Sequence, residues 1–270
     1  MSQFIKIKAA LFTVFFSTFL GLASSPVLAG ATESSAGVRQ SKVLVVMTNH
    51  AQYPNRPDTT GLWLTELTHF YEVFHEAGIS MDFASPKGGN VPLGKRSLSG
   101  GYTDDNAKKL LASADFSKRL TNTRAAAEIN PADYDVIYFT GGQGTMWDFK
   151  DNPELKRLAE GIYNNGGIVS AVCHGTTALL NLQTTEGKPF IANRRVTGFS
   201  SLEEFFAGVR SLVPFDLQTE LEQRGANYEK SWLPFMSYVI TDGRLVTGQN
   251  PESTRDLAKA VLQAMRDNIH

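Results

Sequence analysis

The sequence predicts an α/β fold, a doubly wound, mostly parallel sheet flanked by helices, with a nucleophile elbow at one strand end. Three observations predict it. Short, near-continuous apolar runs such as Lys42-Val43-Leu44-Val45-Val46-Met47 suit strands buried on both faces. These runs alternate with segments of helical periodicity, the pattern of a parallel sheet covered by helices. Glycines cluster where the runs stop, on the side where such sheets bind ligands.

The first strand is followed by a polar loop with Pro54 and Pro57. A helix is expected over Gly61 to Ala77, where Leu64, Leu67, Tyr71 and Phe74 repeat at helical spacing. Gly78 stops it. Ile79 to Ser85 alternates Ile79, Met81 and Phe83 onto one face and reads as a strand, closed by Pro86-Lys87-Gly88-Gly89. Gly101 to about Ile129 reads as irregular helix. Asp135 to Thr140 is the next strand and ends in Gly141-Gly142-Gln143-Gly144. Asn152 caps a helix with Pro153 at its first position and Leu155, Leu158, Ala159 and Ile162 as its stripe.

The elbow strand comes next: Gly166-Gly167-Ile168-Val169-Ser170-Ala171-Val172-Cys173-His174-Gly175, with a helix expected from Gly175 to Leu180. Arg195 to Gly198 reads as a short strand. Ser201 to Ala207 and Pro214 to Arg224 read as helices. Tyr238 to Thr241 and Leu245 to Thr247 flank Asp242-Gly243, a hairpin signal. Pro251 to about Met265 is the last helix.

Composition narrows the function. The chain has 270 residues, with 26 Lys and Arg against 27 Asp and Glu, and no basic run interleaved with aromatics, so nucleic acid is not an expected partner. Lys6 and Lys8, the apolar run Ala9 to Leu22 and the small residues up to Ala29 form the pattern of a signal peptide at residues 1–29. A linker at 30–40 and a single domain at 41–270 follow. The expected location is the periplasm or the exterior, with no stable membrane association after cleavage. An uncleaved membrane anchor is the alternative.

The one cysteine, Cys173, cannot form an internal disulfide. A thiol in a strand–turn–helix is a candidate nucleophile: the turn aims it at solvent, and the helix N-terminus favours the thiolate. The competing reading is a buried packing residue. Beyond the elbow only His174 and the terminal His270 remain, which argues against a hydrolase or amidotransferase triad with a late histidine. Glu66 lies between Leu62 and Phe70 at helical spacing, and a carboxyl in that apolar setting would favour its neutral form and move protons near pH 7. A solvated surface Glu is the alternative. Glu203 and Glu204 are candidates for the third group. Gly142 and its neighbours offer backbone N–H groups to an oxyanion, and the stretch lacks the Gly-Lys-Ser/Thr ending of a phosphate loop.

Thr60 to Leu67, Ala84 to Gly89, Thr140 to Asp148, Ala171 to Gly175, Val196 to Ser200 and Thr247 to Pro251 together resemble the DJ-1/PfpI family, of the class I glutamine amidotransferase-like, flavodoxin-like fold. The branch of heat-shock chaperone-like glyoxalase III proteins is the most similar. The resemblance implies Cys173 as nucleophile, His174 and Glu204 (or Glu203) as its triad partners, and Glu66 as the acid hydrogen-bonded to the thiol. Gly142 and the backbone of His174 are implied as oxyanion donors, with Gln143 and Gly175 completing the substrate site. Many relatives carry His where this chain has Gln143. The implied activity converts methylglyoxal or glyoxal, small reactive carbonyls, to D-lactate or glycolate, with no cofactor and no metal, in a homodimer. Hydrolysis by the same thiol, as peptidase, amidase or deglycase, is one alternative. A non-enzymatic holdase or redox sensor is another.

Overall fold

In a computed structural model, which describes residues 40–54 and 56–268, the chain runs β1 (Lys42–Val46), α1 (Leu64–Glu76), β2 (Ser80–Ser85), α2 (Asp105–Ala112), α3 (Ala114–Thr121), β3 (Arg124–Ala125), β4 (Val136–Phe139), α4 (Thr145–Asp148), α5 (Pro153–Asn164), β5 (Ile168–Val172), β6 (Arg195–Val196), α6 (Ser201–Ala207), α7 (Leu217–Gln223), β7 (Asn227–Tyr228), β8 (Val239–Asp242), β9 (Leu245–Gly248) and α8 (Thr254–Asn268). The signal peptide and linker expected at 1–40 lie outside the described residues, Gln40 excepted. Among the described residues no helix is long and apolar enough to cross a membrane.

Seven strands form the main sheet in the order β3-β2-β1-β4-β5-β9-β8. All neighbours are parallel except β8 and β9, the hairpin that Asp242-Gly243 turns. From β1 the chain steps outward to β2. It later returns to β4 on the other side of β1, so the strand order reverses between β1 and β4. Right-handed crossovers then put α1 and α5 on opposite faces of the sheet. The crevice beyond the carboxyl ends at such a reversal is where this architecture places its ligands.

The apolar runs behave as the sequence predicts. Residues 43–46, 136–139 and 168–172 are all buried, and one core cluster extends from Val43 to Met265. Asn152 caps α5 by accepting from the N–H groups of Glu154 and Leu155. Phe70 of α1 stacks on Tyr138 of β4 at 3.7 Å between ring centroids, and the Tyr138 hydroxyl donates to the Glu66 carbonyl at 2.7 Å. These two contacts lock the first turn of α1 over the end of β4.

Several expectations need correction. The helix expected from Gly61 begins at Leu64, because Gly61 and Leu62 are held by a different strand-like contact, Leu62 N–H to the Pro92 carbonyl at 2.8 Å. The irregular helical stretch is two short helices, α2 and α3, followed by the two-residue edge strand β3. The strand at Arg195 pairs with β7 in a separate two-stranded sheet. The last helix starts at Thr254, after a 3-10 turn at Pro251–Ser253. After Cys173 the chain forms a 3-10 helix, Cys173–Leu179, instead of an α-helix, and every residue of it is buried.

Candidate active site

Cys173 sits at the end of β5 with φ of 56°, the left-handed region that a non-glycine residue enters at a cost of about 1–3 kcal/mol. Such strain is a mark of a nucleophile elbow. Packing enforces the turn. A Cβ on Gly175 would lie 2.5 Å from the carbonyl oxygens of both Phe139 and Thr140, so only glycine lets the turn settle onto the end of β4. Gly142 is likewise fixed, with φ of 98° and no room for a side chain beside the Gly61 carbonyl.

The sequence suggests a thiol aimed at solvent and biased towards thiolate, and the structure corrects both points. Cys173 is 2% exposed. Burial, and next the charge of the Glu66 carboxylate, push its thiol well above the ordinary value, while the His174 backbone N–H pulls the other way. A short 3-10 turn buried in the core cannot offset that desolvation.

Glu66 is fully buried at the third position of α1, so the solvated reading fails. Its Oε2 accepts the Gly141 N–H at 2.6 Å. Burial raises its pKa from 4.5 to about 8, opposed by the Cys173 thiol and the Gly141 N–H. The carboxyl is therefore a neutral acid at pH 7. Its Oε1 is buried without a well-aligned partner and is the oxygen free to exchange a proton with the thiol's surroundings.

His174 does not point away from its neighbour, as adjacent turn residues often do. Its Nδ1 lies 3.2 Å from Cys173 Sγ, and its Nε2 lies 2.7 Å from Glu204 Oε1. The resemblance implies both a Cys173–His174–acid line and a Glu66 carboxyl at the thiol, and the structure brings the two together around Cys173. Glu204, not Glu203, reaches the imidazole. Glu203 is consumed by structure. Its Oε2 closes a capping box with Ser200, and its Oε1 accepts the Phe235 N–H and the Asn250 side-chain amide, each at 2.8 Å.

The thiol opens into a cavity of about 330 Å³. Cys173, His174 and Gln143 line it, together with Trp63, Tyr102, Phe199, Phe206 and Phe235. Gln143 presents a neutral amide whose Oε1 accepts the Tyr53 hydroxyl at 3.3 Å. Glu66, Glu204 and Gly175 stand behind this lining. The Gly142 N–H, beside Gln143, has no acceptor among the described residues, whereas the His174 N–H is turned onto the sulfur. The aromatic lining was not visible in the sequence, because four separate segments supply it. The exposed pair Phe205-Phe206 beside Glu204 was the one available signal.

The model of the DJ-1/PfpI family matches residues 59–264. The chain belongs to the DJ-1/PfpI family. Among relatives of this DJ-1/PfpI protein, Glyoxalase 3 of Candida albicans is 30% identical over 84% of this chain and 99% of its own. The glutathione-independent glyoxalase HSP31 of Saccharomyces cerevisiae is 32% identical over 84% and 98%. Among solved structures, the Rapid Encystment Protein 24 kDa of Francisella tularensis superposes with a TM-score of 0.80 at 37% identity, covering 84% of this chain and 99% of that one. The glyoxalase III of Candida albicans gives 0.77 at 30%, covering 84% and 98%. The fold read from the alternation of strands and helices is the fold of these neighbours.

Proposed function

We propose that the protein is a glutathione-independent glyoxalase that converts a 2-oxoaldehyde and water to the 2-hydroxy acid, methylglyoxal to D-lactate. The observation that carries this reading is the line Cys173–His174–Glu204 with the neutral Glu66 beside the thiol, in a chain whose relatives bear glyoxalase names.

The reaction is an internal redox exchange. The aldehyde carbon is oxidised to the carboxyl level and the ketone carbon is reduced to the carbinol, so no external oxidant or reductant enters. The resting thiol is protonated. His174 Nδ1 takes its proton as Sγ attacks the aldehyde carbon, forming the S–C bond and breaking the carbonyl π bond. Glu204 holds Nε2 and steadies the imidazolium. The Gly142 N–H is the donor for the developing oxyanion. Glu66 then gives its proton to that oxygen and becomes the base that removes the hydrogen from the same carbon. It returns that hydrogen to the neighbouring carbon through an enediol, while the hydroxyl proton passes from the first carbon's oxygen to the second's, which leaves a thioester on Cys173. The proton held on His174 returns to Glu66 to close the cycle. A group with a pKa of about 8 serves as acid and base in turn near neutral pH. Water cleaves the resulting thioester, releases the hydroxy acid and restores the thiol.

The test is incubation of the purified protein with methylglyoxal and no glutathione, with chiral analysis of the product. D-lactate formation supports the reading. Its absence, with cleavage of a peptide or amide instead, would replace it with the hydrolase alternative.

A further inference from the structure

The cavity is built for more than a methyl group. A water's share of liquid volume is about 30 Å³, so 330 Å³ holds roughly ten waters. Methylglyoxal bound at Cys173 would displace only a few of them. Aromatic rings line much of the remaining volume, with Arg96, Asn250 and Glu252 also at its wall. His174 and Phe199 lie 4.5 Å apart, and Phe199 and Phe235 lie 6.3 Å apart, a ladder from the imidazole to the mouth. Phe206, 61% exposed, and Phe235, 42% exposed, border the mouth with much of their surface in water.

Phe235 carries a second, independent sign. Its φ is 62°, and the only other non-glycine residues with positive φ among the described residues are Cys173 and Asn193. A bulky side chain in that region is strained, and such strain persists only where the surroundings impose it. Here the imposing contact is the Phe235 N–H donated to the fully buried Glu203. The same glutamate also takes the Asn250 amide. A buried carboxylate is thus committed to holding one aromatic ring at the mouth of the site.

We propose that Phe206 and Phe235, backed by Phe199, bind the substituent on the ketone carbon of the substrate. The preferred substrate class is then 2-oxoaldehydes with a bulky apolar or aromatic group. This rests on the glyoxalase reading. A ring placed there displaces water from the remaining volume and covers more apolar surface of the two exposed phenylalanines than a methyl group can. Phe206 and Phe235 are specificity residues, with no part in the bond-making at Cys173.

The experiment compares phenylglyoxal with methylglyoxal on the full protein, using initial rates taken before arginine modification sets in. Each hydrophobic contact of this kind discriminates by about tenfold. The kcat/KM ratio of phenylglyoxal to methylglyoxal is expected to exceed one in the wild type. It should fall about tenfold in Phe206→Ala and in Phe235→Ala, mainly through KM for phenylglyoxal. Phe206 is exposed, so its truncation leaves no cavity and reports even if truncating Phe235 disturbs its loop. A wild-type ratio below one, or a ratio unmoved in Phe206→Ala, overturns the proposal while methylglyoxal turnover leaves the glyoxalase reading standing. Failure to turn over either aldehyde removes both.

Discussion

Glu204 Oε1 and His174 Nε2 are 2.7 Å apart, thirty residues distant in sequence, and each side chain is 1% exposed. The contact fixes the imidazole with its other nitrogen on the Cys173 sulfur. Glu204→Gln keeps a hydrogen-bonding group of the same shape and removes the charge that steadies the imidazolium. It is expected to lower kcat by about 10²-fold with little change in KM. Steady-state kinetics check this. An equal loss from Glu203→Gln, with an unchanged far-ultraviolet spectrum, would show the wrong acid has been assigned.

The protonation of Glu66 has its own signature. In the folded chain the carboxyl keeps its proton up to about 8, whereas an unfolded chain releases it near 4.5. Between those values the folded state binds more protons, so the Glu66 contribution to stability falls as pH rises and levels off above about 8. Denaturant titrations at several pH values should show this slope in the wild type and a flatter one in Glu66→Gln. The infrared band of a buried protonated carboxyl should disappear as pH passes through about 8, and be missing in the variant.

Gly175→Ala tests the packing of the elbow. Its added methyl would lie 2.5 Å from two carbonyl oxygens at the end of β4, and backbone cannot give way as a flexible side chain does. Overpacking of this kind costs about 1–3 kcal/mol. The urea midpoint should fall accordingly, and catalysis should fall with it, because Cys173 and His174 precede Gly175 directly.

The strands at the centre of the sheet were legible because burial on both faces leaves a continuous apolar run, as in Val43 to Val46 and Ile168 to Val172. The helix α5 was legible through Asn152-Pro153, and the β8–β9 hairpin through Asp242-Gly243. The two-residue strands β3 and β7 are too short for any periodicity to register, whereas β6 lies within the short strand read at Arg195 to Gly198. Of the site, Cys173, His174 and Gly142 announced themselves by their place at strand ends. Glu66 stood out only through its apolar neighbours at helical spacing, against a solvated alternative, since such spacing shows which face a residue is on and not what lies above it. The glycine-rich end of β4 covers it. The choice between Glu203 and Glu204 was closed to sequence for a similar reason, because adjacent helix positions diverge by about 100° and only the packed structure shows which meets His174. The thiolate expectation failed because sequence showed the turn and not the depth of its burial.

The expectation of export rests on the pattern at residues 1–29 alone. If the segment is a cleaved signal, the protein recovered from an expressing cell should be found outside the cytoplasm and its first residue should be Gly30. N-terminal sequencing of fractionated material decides this. A chain starting at Met1 in the membrane fraction would favour the anchor.

In the proposed mechanism Cys173 and Glu66 act together on a 2-oxoaldehyde. Lactate formation from methylglyoxal, without glutathione, is to be measured for the wild type, Cys173→Ala and Glu66→Gln at equal concentration and pH 7. The wild type should form lactate, and each variant should lose it to within the uncatalysed background while staying folded. Lactate formed at the wild-type rate by either variant would contradict the mechanism.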